Sequence, residues 1–141
     1  MKTLTDKQRL DIVDYRMENA HSTLAEVESH RKHGFFNTAV NRMYYACYYA
    51  ATALLISEGI TVKSHDGVRQ SLGMNIVLKG KMSPDLGRFY SRLFSKRSTG
   101  DYEDFINHTI ETVDELLPQA QLFVKEAQKV IDRWKIDNEF L

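Results

Sequence analysis

The chain has a single cysteine, Cys47, only two prolines and seven glycines in 141 residues. A lone thiol excludes an internal disulfide framework and a thiolate-rich zinc site. So little proline and glycine excludes collagen-like and Pro-rich linker classes. Phosphate-cradling glycine loops are missing: neither Gly-x-Gly-x-x-Gly nor Gly-x-x-x-x-Gly-Lys-Ser/Thr occurs, and there is no His-Glu-x-x-His. The longest apolar run, Met43–Ile56, is too short to span a bilayer and carries four tyrosines. No basic, apolar leader with small residues opens the chain. A soluble cytoplasmic protein is the expectation.

What is present is ordinary globular composition, 43% hydrophobic and 27% charged. A chain of this length buries roughly 70% of its unfolded surface, enough for a core without staples. Residues 1–141 therefore read as a single domain. The net charge of zero hides an asymmetry. Residues 1–59 balance seven basic against seven acidic side chains, residues 60–100 carry eight against two, and residues 101–141 carry four against ten. A basic middle can attract an anion such as a phosphate backbone. Packed beside the acidic segment, it would instead have its field cancelled, and this is the reading preferred from charge alone.

Nearly everything has helical period, with no repeat, linker or low-complexity tract. Thr5 with Gln8 fits a capping box. Leu10, Val13, Met17, Ala20, Leu24 and Val27 follow as one apolar stripe, and Gly34 ends it. Helical throughout, residues 5–33 would span about 43 Å at ~1.5 Å per residue. A second helix is predicted from Phe36 to Ser57, with Gly59 as its stop. It is apolar nearly all round, hence central, and its Tyr44/Tyr48 and Tyr45/Tyr49 pairs read as core and interface residues.

Ile60–Val62 alone reads as strand, too short to make a sheet. Ser64 or Asp66 can cap a short helix carrying Val68, Leu72 and Ile76, broken at Lys79-Gly80-Lys81. Ser83-Pro84 starts a fourth helix with Leu86, Phe89, Tyr90, Leu93 and Phe94 inside and Arg88, Arg92 and Lys96 outside. Ser98-Thr-Gly-Asp101 is expected to break it. Thr109, or Thr112 with Glu115, starts the last helix, and Pro118 should kink it or move its start to near Leu117. The sum is all-α: an antiparallel up-and-down bundle of about five helices, three long and two short. The apolar surface of helix two exceeds what its neighbours need to cover. A homodimer is therefore expected, with aromatic residues of helices two and four at the interface.

Cys47 reads as a small buried hydrophobe. Glu26, His30 and His33 share a helix face and could on paper hold a divalent metal, but histidines also suit a solvated helix C-terminus. No metal or cofactor is expected. Two polar spots stand out, Lys63-Ser-His65-Asp-Gly67 and Lys96-Arg97-Ser-Thr-Gly-Asp101-Tyr102. Both can be ordinary helix punctuation. Both can also form an anion site with Arg97 as the phosphate-binding fork.

The order Ala39-Val-Asn-Arg-Met-Tyr-Tyr-Ala-Cys-Tyr-Tyr-Ala50, Lys63-Ser-His-Asp-Gly-Val68, Leu86-Gly-Arg-Phe-Tyr-Ser-Arg-Leu-Phe94 and Arg97-Ser-Thr-Gly-Asp-Tyr102 resembles the HEPN family in its small stand-alone prokaryotic form. The resemblance covers about residues 8 to 130. It implies an up-and-down helical bundle, usually homodimeric, often paired with a minimal nucleotidyltransferase and sometimes part of a toxin–antitoxin module. Many members are metal-independent ribonucleases whose motif is Arg, four to six residues, then His, with two protomers' motifs meeting at the dimer cleft. Arg97 matches the arginine. Tyr102 stands where the histidine could be, and His108 is too far along. With an ordinary pKa of about 10, a tyrosine is a poor general base near neutral pH. The resemblance thus places Arg97, Asp101 and Tyr102 at a nucleotide- or RNA-binding cleft, with Lys63 and His65 as candidates to join it. His65 is the one nearby group able to move a proton near pH 7. Three classes stay open: a nucleotide- or RNA-binding module acting with a nucleotidyltransferase, a ribonuclease toxin, and a non-enzymatic helical adaptor.

Overall fold

In a computed structural model, residues 4–102 and 107–140 are described, with the backbone alone for 98–102. Six α-helices follow one another: α1 (Asp6–Ala25), α2 (Val27–Lys32), α3 (Phe36–Ser57), α4 (His65–Leu72), α5 (Pro84–Tyr102) and α6 (Ile110–Asp137). A π-helical turn, Gly73–Val77, extends α4. Among the described residues there is no strand, so Ile60–Val62, which reads as a short strand in the sequence, is part of a connection.

Local chemistry accounts for the boundaries. Thr5 caps α1 with both capping-box bonds, Gln8 N–H to Thr5 Oγ1 at 3.1 Å and Thr5 N–H to Gln8 Oε1 at 2.9 Å. The single helix expected over 5–33 is two, because the chain tightens at Glu26, whose N–H donates to Thr23 O three residues back. Gly34 then takes φ 79°, and the Phe35 N–H reaches back to His30 O at 2.8 Å, closing α2. α3 has the predicted limits.

α5 corrects a second expectation. It runs through Ser98, Thr99 and Gly100 to Tyr102 instead of breaking there. One helical glycine costs only about 1 kcal/mol relative to alanine, and no proline is present to remove a hydrogen bond. α6 is continuous through Pro118 and starts at Ile110, so the expected shift of its start to Leu117 does not occur. Thr109 supplies the cap, accepting from Thr112 N–H at 3.3 Å.

α3 touches every other helix. Its buried residues run from Ala39 to Ser57 and include Tyr44 and Cys47. The α1 stripe Val13, Met17 and Ala20 packs on one side of the core, and Val113, Leu116, Phe123, Val124 and Ile131 of α6 close another. Leu86, Phe89, Tyr90 and Leu93 of α5 are buried as predicted, while Arg88 and Arg92 are exposed. Arg31 of α2 forks onto Asp114 of α6 at 2.5 and 3.0 Å, holding that carboxylate below its usual range. Among the described residues no ion pair joins the basic 60–100 segment to the acidic 101–140 segment. Arg69 pairs with Asp66, Arg88 with Asp85 and Lys81 with Glu58.

No helix among the described residues is long and apolar enough to cross a membrane. None of their His, Cys, Asp and Glu side chains group in threes suited to a metal. Of the His30/His33 face, His33 Nδ1 instead lies 2.8 Å from Ser29 O. Burial pushes the Cys47 thiol far up, which leaves it an inert core group.

Candidate functional site

His65 is the first residue of α4, and its position follows from the cap before it. Ser64 Oγ accepts from the Gly67 N–H at 2.9 Å, fixing the first turn. Gly67 is needed there. A Cβ at 67 would stand 2.5 Å from Val62 Cγ1 and 2.7 Å from the capping Ser64 Oγ. Gly67→Ala gains about 1 kcal/mol of helix propensity but displaces a cap worth about as much and forces Val62 aside. A lower Tm, together with a shifted His65 ring resonance, is the expected outcome. An unmoved resonance would contradict the close packing.

The imidazole that α4 delivers lands on the tyrosines of α3. Its ring stacks on Tyr48 with centroids 4.4 Å apart and planes 19° apart, and meets Tyr45 edge-on at 5.8 Å. Tyr44 Oη lies 2.7 Å from His65 Nδ1. Arg97, near the end of α5, brings Nη2 to 3.5 Å from the same nitrogen, and its guanidinium lies 4.7 Å from the centre of the Tyr44 ring. The two polar spots, 32 residues apart in sequence, thus meet over one aromatic platform.

These contacts favour one tautomer of the imidazole. A guanidinium can only donate, and burial raises the Tyr44 phenol above its ordinary range, so it stays protonated. The donor-only guanidinium facing Nδ1, with a protonated phenol also able to donate to it, favours the tautomer in which Nδ1 accepts. The neutral ring then carries its proton on Nε2, which has no partner among the described residues. Burial, and secondarily the Arg97 charge, lower the His65 pKa below 6.5. His65 is therefore a neutral Nε2–H donor near pH 7.

The same shift predicts a pH dependence of stability. Between 6.5 and the lowered value, the unfolded chain takes up a proton that the folded chain refuses. This contribution is complete above about pH 6.5 and is lost as pH falls through that window. His65→Gln should flatten the slope, measured as the difference in Tm between about pH 7.5 and about pH 5.5. An identical slope in wild type and variant would contradict it.

Of the residues expected at the site, His65 and Arg97 are brought together. Lys63 is exposed two residues before His65 and makes no hydrogen bond or ion pair among the described residues. The side chains of Asp101 and Tyr102 lie outside the described residues. The sequence marks Tyr44 only as a core or interface aromatic. Its ring is fully buried, and its hydroxyl holds His65. Below it, Tyr90 packs at 6.0 Å and then Phe123 at 5.5 Å, so the platform stands on the core.

The family model of the HEPN domain matches residues 13–130 of this chain. The chain belongs to the HEPN domain family. A UPF0332 protein of Thermotoga maritima is 33% identical over 124 residues, spanning 88% of this chain and 94% of that protein. A protein of Methanocaldococcus jannaschii, named as a candidate toxin, is 27% identical over 131 residues, spanning 93% and 97% respectively. The crystal structure of TT1696 from Thermus thermophilus superposes with a TM-score of 0.71 at 17% identity, over 84% of this chain and 97% of that one. That likeness shows the helical fold. A second protein of Methanocaldococcus jannaschii, also named as a candidate toxin, is 26% identical over 115 residues.

Proposed function

We propose that this HEPN chain binds the phosphate of RNA or of a nucleotide at Arg97 and His65, and acts with a nucleotidyltransferase partner in a toxin–antitoxin-type system. One observation carries the reading: the Arg97 guanidinium and the His65 imidazole, both donors at neutral pH, meet over Tyr44. The guanidinium offers the fork for a phosphate, and Nε2–H, on the other side of the imidazole, offers a second donor to the same bound ligand. The flanking rings of Tyr45 and Tyr48 are only partly buried and offer stacking surfaces for a base. Lys63, which makes no ion pair among the described residues, adds a long-range field. Titration of labelled RNA and of ATP into the purified protein at fixed salt tests this. Saturable binding that weakens with added salt is expected, and no binding of either ligand contradicts it.

A second reading, a metal-independent ribonuclease, draws support from the histidine beside the arginine, which the Arg97-to-Tyr102 spacing alone does not supply. In it, His65 serves as proton donor to a leaving oxygen, because its Nδ1 is already engaged. The general base must then be another group. RNA cleavage in the presence of EDTA, lost in His65→Gln, is the result this reading requires.

The homodimer belongs to the same proposal. Tyr44, Phe89 and Tyr90 are used inside the protomer and Tyr45 and Tyr48 at the site, which leaves Tyr49 and Phe94 as the half-buried aromatics for a partner copy. Sedimentation should give a dimer at micromolar concentration, and a stable monomer would contradict it.

A further inference from the structure

A second cavity, of about 580 Å³, opens between the start of α1, the end of α3 and the last turns of α6. It shares no residue with the Arg97 site. Its size is that of a small-molecule site, and it combines an apolar wall with converging cations. The wall is Val130 and Trp134, the indole being held edge-on by Phe140 at 5.1 Å. Arg9, Lys81, Lys129 and Arg133 line it against only Glu58 and Asp137.

The pairing of these charges matters more than their number. Lys81 is taken by Glu58. Lys129 and Arg133 hold Glu126 and Asp137 at 3.3 Å in exposed pairs within α6, which are weak and easily exchanged. Arg9 has no ion pair and no side-chain hydrogen bond among the described residues, and its Nε is buried without an acceptor. A buried donor left unsatisfied costs far more than a hydrogen bond normally contributes, so such groups mark unfilled partners. Arg9 is thus a cation on the cavity lining with no counter-charge among the described residues, and an anion entering the cavity would supply one.

We infer that this cavity binds a small ligand with a planar ring and a phosphate, of the nucleoside monophosphate class. The phosphate sits on Arg9, supported by Lys129 and Arg133. The ring lies against Trp134. Neither half suffices alone: inorganic phosphate forgoes the indole wall, and a bare nucleoside leaves Arg9 unsatisfied.

Trp134 is the sole tryptophan of the chain, so its emission reports on this cavity and not on the Arg97 site. The experiment is a titration of the full chain with AMP, adenosine and inorganic phosphate, followed by tryptophan fluorescence. A saturable change with AMP is expected, with adenosine and phosphate weaker by about tenfold or more. Arg9→Met should weaken AMP by about tenfold or more, while Arg97→Ala leaves the AMP curve unchanged. If Arg9→Met fails to fold, the double variant Lys129→Gln/Arg133→Gln serves, since those side chains are 62% and 76% exposed and folding does not depend on them. No saturable change in wild type, an unaltered curve in the Arg9 or double variant, or a curve lost in Arg97→Ala would each overturn the assignment. Loss of RNA binding in Arg97→Ala with an intact AMP curve would leave both sites standing. An intact AMP curve in a protein that binds no RNA, and whose ATP affinity is the same in Arg97→Ala, would overturn the Arg97 reading alone.

Discussion

Arg97→Ala should weaken binding of RNA or ATP about ten- to hundredfold at fixed salt. The change removes one charge-assisted contact to phosphate, worth about 1.5–3 kcal/mol. Arg97→Lys should recover only part of this, because a lysine keeps the charge but not the two-pronged donor geometry. The half-buried guanidinium also lies over the Tyr44 ring, so stability falls slightly as well: about 0.5–2 kcal/mol of cation–π contact is lost. Binding must therefore be compared below the Tm of both proteins. Equal affinities for wild type and Arg97→Ala would remove Arg97 from the site.

Phe123→Ala should give the largest loss of stability, about 3–5 kcal/mol, or a fall in Tm of about 10–20 °C. Phe123 is fully buried on α6 and stacks on Tyr90 at 29° between ring planes. Tyr90 in turn supports Tyr44. The cavity left by the phenyl ring thus lies two rings beneath His65, and the variant should also blur the His65 environment. Leu122→Ala, one residue away but 46% exposed, should change stability by less than about 0.5 kcal/mol. Similar Tm values for the two variants, measured by thermal circular dichroism, would contradict the assigned packing.

What is legible in the sequence is what local chemistry determines. Thr5, Ser64, Ser83 and Thr109 read as caps because each is a short oxygen-bearing side chain at the edge of a periodic stripe, and each accepts a helix N–H. α3 is delimited by its own run of apolar residues between Gly34 and Gly59. The misses are places where neighbours override local preference. The break at Glu26 interrupts a stripe with no proline or glycine in it. The helix through Gly100 has turn-like composition. At the site, the polar loops mark His65 and Arg97 individually, but the 3.5 Å between them depends on how α4 and α5 pack across α3. The Tyr44 hydroxyl gives no signal, since a tyrosine inside an apolar run looks the same whether its oxygen meets water or an imidazole.

The central claim is that His65 and Arg97 belong to one phosphate-binding site. The most direct measurement is the pKa of His65 by NMR of its ring, alone and with a saturating RNA oligonucleotide. In the free protein, burial and the Arg97 charge should hold it below 6.5, with Nε2 protonated in the neutral ring. A phosphate held by Arg97 beside the imidazole offsets the Arg97 charge and favours imidazolium, so the pKa should rise on binding. The rise should disappear in Arg97→Ala. A His65 pKa that stays the same when RNA is bound would contradict the account.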